Sequence, residues 1–350
     1  MRVVKAKGKA AQPRGIGSRA PGQAPEGKPC PALNHRPDSL VPQPAGGLFI
    51  LVRGVGEIAS AVAHVLFRAG FAVAMHEASA PTSCRRRMSF VDAFFDGTAR
   101  LEEVLAWRVG TLAQLNRLLD SRAAVPLLTM DFDTVLAARR PGVLVDARMR
   151  KRAPSEPQRG IAPLSIGIGP GFVAGVTVDV VIESAWGDRL GNVLWQGSAL
   201  PYVGEPQRVG GYGRERFVYT PHSGLFRSPC QMGDLVQAGD VIGHVDGTVL
   251  RAPLTGHLRG LTRSGVPVQA GAKVIEVIPA GVEVQMSGLG WRPKRIAEGV
   301  LQAIEWLHLP RAARTGPDMD MDRAVTATAA PTSTGPKGWS SARANEKPTT

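Results

Sequence analysis

The sequence predicts an α/β protein in which a parallel sheet is followed by a β-rich region, with disordered segments at both ends. Three observations carry this. A short apolar run passes through a glycine turn into a helical periodicity, apolar runs and helical stretches alternate up to about residue 160, and the texture then changes to Gly-rich, β-branched segments. The 350 residues are 43% hydrophobic and 20% charged, enough for one large or two ordinary domains. No apolar run approaches the roughly 18 residues of a membrane span.

Residues 1–47 hold 8 Pro and 7 Gly without apolar periodicity, too little burial to offset the entropy of ordering, so they read as a disordered basic tail. The formal charge of +13 divides as +6 in this segment, +5 in 48–309 and +2 in 310–350, the last a second disordered tail. The basic tail has no aromatic residue to stack on a base, so no specific nucleic-acid partner and no membrane partner is expected.

A first domain is expected over 48–160. Leu48–Val52 reads as a strand, Arg53–Glu57 as a tight turn, and Ile58, Ala61, Val62, Val65, Leu66 and Ala69 as the apolar face of a helix that Gly70 ends. Phe71–Met75 is a second strand closing at His76 and Glu77. A helix over Leu112–Leu119, a strand over Val125–Thr129, a helix over Thr134–Arg139 and a strand over Gly142–Asp146 continue the alternation, which argues for parallel pairing. A Gly-rich β region, 161–216, has strand candidates at Ile161–Ile168, Val173–Glu183 and Leu190–Gln196. Residues 217–281 contain two matching halves, Tyr219–Gly224 with Gly233–Asp240 and Arg251–Gly256 with Gly265–Gly271, each opening on a Pro-x-x-Gly turn. Within 282–309 a helix over Arg295–Leu307 sets Ile296, Val300, Ile304 and Leu307 on one face.

The sharpest local signal is Gly54-Val-Gly56-Glu-Ile-Ala59, a G-x-G-x-x-A run between a strand and a helix. Gly54 permits the turn, Gly56 lets a phosphate approach the backbone, Ala59 lets the helix pack closely, and the helix N-terminus attracts the charge. Glu77 stands where an acid would accept hydrogen bonds from a ribose diol. Together these predict a Rossmann-like domain. Gly167, Gly169 and Gly171 form either an anion-binding nest or a turn at a domain junction. Arg85 and Arg86, in Cys84-Arg-Arg-Arg87, form either a weak anion clamp or a solvated charge run, and Cys84 beside them is either a thiolate favoured by these cations or, as is commoner, a buried or incidental cysteine.

Three scattered cysteines and seven histidines give neither a disulfide framework nor a metal-ligand spacing, so no metal is expected and a reducing cytoplasm fits. No G-x-S-x-G elbow or P-loop lysine is present. Asp146 and Lys151 are the only acid–base candidates near the expected crevice, which leaves the catalytic residues unassigned.

In combination, Arg53–Ala59, Arg85-Arg86, Ser89-Phe90, Asp96-Gly97, Val143–Ala147 with Lys151-Arg152, Ala162–Phe172, Ala174-Gly175 and Val181–Glu183 resemble the selenium-dependent molybdenum hydroxylase system proteins, whose Rossmann part is related to the xanthine dehydrogenase accessory factors. The resemblance implies an accessory or maturation protein for a molybdenum hydroxylase client. Its cofactor would be molybdopterin (the molybdenum cofactor) or a dinucleotide such as NAD. An NAD(P)-dependent oxidoreductase and a noncatalytic scaffold are the alternatives. The repeat at 217–281 resembles a biotinyl/lipoyl-type barrel-sandwich hybrid without the lysine at the hairpin His244–Val249, which implies structural use rather than a carrier. Oligomeric state is left open.

Overall fold

The computed structural model describes residues 48–150 and 155–308. The expected tails, 1–47 and 310–350, and Lys151 lie outside the described residues. The described chain is a mixed α/β fold with more strands than helices.

The first part runs β1 (Phe49–Arg53), α1 (Glu57–Arg68), β2 (Ala72–His76), α2 (Asp92–Asp96), β3 (Thr98–Leu101), β4 (Val104–Val109), α3 (Leu112–Ser121), β5 (Val125–Leu128), α4 (Phe132–Ala138), β6 (Val143–Asp146), β7 (Leu164–Ile168), β8 (Val173–Ala174), β9 (Val180–Ile182), β10 (Val193–Leu194) and β11 (Gly197–Ser198). Nine of these strands form one sheet in the order β10-β9-β7-β6-β1-β2-β5-β4-β3. All neighbours from β9 to β4 pair parallel, and β10 and β3 add antiparallel edges.

The apolar runs explain the layering. β1 is buried along its whole length because both faces are covered: Ile50 and Val52 face one cluster with α1, while Phe49 and Leu51 face another with α3. α5 (Trp291–His308) lies beside α1 and buries Ile296, Ala297, Val300, Ala303 and Ile304; of the expected face, Ile296, Val300 and Ile304 are among them, and the Leu307 side chain lies outside the described ones.

Three departures from the expected elements have physical causes. The hairpin β3–β4 is absent from the sequence reading, because Arg100, Glu102, Glu103 and Arg108 break the apolar signal on a half-exposed edge. Val173–Glu183 is two strands, since Gly175 at φ +79 and the bonds from Val176, Thr177 and Val178 N–H to Val173 O make a tight turn inside the apolar run. The strand at Leu190–Gln196 is only β10, as Leu190, Gly191 and Asn192 lie in hydrogen-bonded turns.

The second part holds β12 (Phe217–Tyr219), β13 (Gly224–Arg227), β14 (Leu235–Val236), β15 (Val241–Val245), β16 (Thr248–Arg251), β17 (Gly256–Leu261), β18 (Val266–Val268) and β19 (Lys273–Pro279). They form two four-stranded sheets, β12-β19-β17-β14 and β16-β15-β13-β18. Matching β12–β15 with β16–β19 turns one order into the other, so the sequence repeat is a structural one whose halves exchange strands between sheets. Both sheets face one core containing Phe226, Ile242, Val245, Leu258, Val274 and Val277. No helix among the described residues is long and apolar enough to cross a membrane.

Candidate functional site

In the parallel sheet, the connection from β1 goes to β2 on one side, and β6 returns to the other side of β1. The crevice outside the carboxyl ends of β1 and β6 is therefore where the topology opens a site. The residues there are Arg53 at the end of β1, His76 at the end of β2 and Glu77 after it, Asp146 at the end of β6, and Arg148, Arg150, Glu156 and Gln158 on the following segment.

Their contacts form one network. Arg53, 8% exposed, donates from Nη1 to Glu156 Oε2 at 3.2 Å, and its guanidinium carbon lies 3.8 Å from the Phe132 ring centroid. Arg148 donates to both Asp146 oxygens and, at 3.1 Å, to Glu156 Oε2; Arg150 reaches Glu156 Oε1 at 2.7 Å. Gln158 donates to Asp146. Three guanidiniums thus meet on Glu156, whose side chain is 48% exposed. Desolvation works against ionisation of Glu156, but the hydrogen bond and charge of Arg148 outweigh it and hold its carboxyl below the ordinary range.

His76 lies with Nε2 2.8 Å from Met130 O, and burial lowers its pKa, so a neutral ring donates to the carbonyl. Glu77 is raised from its ordinary 4.5 to about 7, first by burial, with Arg148 pulling the other way. It is a carboxyl that exchanges its proton near neutrality.

The glycine turn lies against this network. Gly54 has φ +103, and a Cβ there would sit 3.2 Å from Arg148 Cα, so the turn is needed both for its dihedral and for the close passage of the loop after β6. At Gly56 a Cβ would meet only Ser83 Oγ at 3.9 Å. Gly56 is the N-cap of α1 with no side-chain cap, so the cap gives the first-turn N–H groups no side-chain acceptor. Ala59 is fully buried on α1.

The structure does not bring the other sequence candidates here. A Cβ on Gly167 would run into the Phe172 ring, and one on Gly169 would reach Ser184 Oγ at 2.5 Å, so these glycines answer to packing; Gly171 lies in the same turn with φ +98. Arg85 bridges Glu57, at 2.8 and 2.9 Å, and Glu276, at 2.7 and 3.1 Å, while Arg86 holds Asp92. Glu276 is fully buried and also faces Arg216 and Arg259; against the effect of burial, Arg85 first and then Lys273 and Arg259 hold its carboxyl down to about 2. Both arginines are therefore occupied in tying segments together. Cys84 is buried, and desolvation raises its thiol pKa, which fits the buried reading and not the thiolate one. Asp146, held by Arg148 and Gln158, is not placed as a free acid or base.

The sequence reading missed Arg53, His76, Arg148, Arg150, Glu156 and Gln158 as a group. Arg148-Met-Arg150 directly after an apolar strand was a usable signal; Glu156 and Gln158 carried none.

No family model matches the chain. "Uncharacterized protein YqeB" of Escherichia coli (strain K12) is 35% identical over 277 residues, covering 78% of this chain and 51% of its own length. The chain spans about half the length of the curated relative it matches. Among solved structures, the ectoine utilization protein EutE (DoeB) of Ruegeria pomeroyi matches over 67% of this chain and 86% of its own at 14% identity and a TM-score of 0.21. A succinylglutamate desuccinylase/aspartoacylase of Rhodobacter sphaeroides matches over 49% and 64% at 17% identity and a TM-score of 0.17. Scores this low describe no common fold, and no activity is carried over from them.

These findings correct the expected family. No family model supports a molybdenum hydroxylase accessory protein, selenium-dependent or otherwise, and the curated relative is not described as one. The motifs that carried the resemblance have local structural explanations: Gly167 makes room for Phe172, Gly97 caps α2 at φ +85, and Arg85 is an ion-pair bridge. The maturation role, its molybdenum hydroxylase client, and the oxidoreductase and scaffold alternatives are withdrawn with it.

Proposed function

We propose that the chain binds a small anion of the phosphate or pyrophosphate class in the crevice over the Gly54–Gly56 turn, at the place the Glu156 carboxylate takes in this structure. The observation that carries the reading is the meeting of Arg53, Arg148 and Arg150 on one half-exposed carboxylate. A ligand that displaced Glu156 would take over those charge-assisted bonds and add the first-turn amides of α1. The parallel strand order supports a Rossmann-like domain whose sheet runs past the expected boundary at 160 through β7, β9 and β10, and the paired four-stranded sheets support a barrel-sandwich-type unit over 217–281. Within this reading Gly54, Gly56 and Ala59 shape the turn, and Glu77 is the neighbouring proton-exchanging group. No reaction is assigned.

Inorganic pyrophosphate, titrated calorimetrically into the full chain, tests it. Glu156→Gln removes the competing carboxylate and should tighten binding, whereas Gly56→Leu should block the approach without lowering Tm by more than a few degrees. No binding at millimolar pyrophosphate to either the wild type or Glu156→Gln overturns the proposal, as does equal binding by Gly56→Leu.

A further inference from the structure

A second cluster lies on the outer side of α1, where the hairpin β3–β4 turns. Its chemistry is carried by His64 on the helix and by Glu102 and Glu103 at the hairpin tip. His64 is 5% exposed, yet neither of its ring nitrogens has a hydrogen-bond partner. Buried polar atoms without partners are rare, and each calls for an account.

The geometry supplies one. His64 Nε2 is 3.8 Å from Glu102 Oε2 and 3.6 Å from Glu103 Oε1. Both separations are too long for hydrogen bonds. They are instead close to the spacing of two donors that share one ion at about 2.0–2.2 Å each, which is about 3.4 Å across a tetrahedral angle. One ligand oxygen from each carboxylate and the imidazole nitrogen lie within 4.8 Å of one another. The carboxylates are also held in place: Glu102 Oε1 accepts from Leu289 N–H at 3.0 Å, which leaves Oε2 toward the histidine, and Glu103 Oε1 is ion-paired with Arg68 Nε at 3.0 Å.

We propose that His64, Glu102 and Glu103 form a binding site for a divalent cation of the zinc, cobalt or manganese class, clamping α1 to the β3–β4 hairpin. Two anionic oxygens and a nitrogen suit borderline ions. Because the glutamate side chains are 42% and 49% exposed, water fills the remaining coordination positions and the ion exchanges freely with solvent. Arg68 is the local competitor, since its side chain, 53% exposed, shares Glu103 with the ion. This site is separate from the crevice over Gly54, and neither proposal depends on the other.

The test uses the full chain, stripped with a chelator and titrated with Co²⁺ while its visible absorption is followed. The expected result is a d–d spectrum of nitrogen and oxygen ligation that saturates at about one equivalent, is displaced by Zn²⁺, and is accompanied by a rise in Tm. Glu102→Gln and Glu103→Gln, both at an exposed hairpin tip, should each weaken Co²⁺ binding by about tenfold or more and abolish the Tm rise. His64→Asn should abolish both, with circular dichroism reporting whether the fold persists. The proposal is overturned if no spectrum develops, if a thiolate charge-transfer band shows the ion held by cysteine, or if both glutamine variants titrate like the wild type.

Discussion

Glu77 offers a stability measurement whose sign and size follow from its position. Its carboxyl titrates near 7 in the folded chain and at 4.5 when unfolded, because burial disfavours the charged form more than Arg148 favours it. The folded state therefore holds a proton that the unfolded state has lost between those values. Stability falls as pH rises through this window. Below about pH 4 the group is protonated in both states and costs nothing, and above about pH 7 the full difference applies. At about 1.4 kcal/mol per pKa unit, the penalty reaches about 3 kcal/mol at pH 8 and about 1 kcal/mol at pH 5. Glu77→Gln keeps an oxygen to accept from Ser79 N–H and cannot ionise. Its stability advantage over the wild type should accordingly grow from about 1 to about 3 kcal/mol between pH 5 and pH 8. Urea unfolding of both proteins across that range measures it, and every other titrating group cancels in the difference. An advantage that is flat with pH, or that shrinks as pH rises, would refute the reasoning and place Glu77 in contact with water.

Three further outcomes are expected. Glu276→Gln leaves Arg85, Arg216 and Arg259 facing a neutral group in a buried site, and should destabilise by about 3–5 kcal/mol in denaturant titration. Gly167→Ala drives a methyl group into the Phe172 ring and should cost about 1–3 kcal/mol with no change in pyrophosphate affinity, which separates packing from ligand binding at that loop. Cys84 should resist thiol reagents in the native state, reacting more slowly than the partly exposed Cys230 and at a rate that tracks global unfolding, read by peptide mapping after timed labelling.

The strand–turn–helix of residues 48–69 was legible because an unbroken apolar run, two glycines and a helical period are local signals, each fixed within a dozen residues. The repeat in 217–281 was legible for the same reason, since its halves resemble one another in plain sequence. What pairs with what was not. That β6 lies beside β1, that the repeat halves exchange strands, and that Arg85 is a bridge between Glu57 and Glu276 are all decided by contacts between residues far apart in the chain. The glycines of 167–171 show the limit most clearly: their spacing suits a phosphate loop and a crowded turn equally, and the positions of Phe172 and Ser184 decide between them. The same holds at the two proposed sites. Glu156 gains meaning when Arg53 of β1 joins Arg148 and Arg150 of its own segment, and His64 from a hairpin 38 residues onward, because charge and ligand geometry act through space and not along the sequence. The sequence by itself determined the elements and their apolar faces, through local burial and backbone preference; the tertiary structure alone decided which charges meet, and so where a ligand could be held.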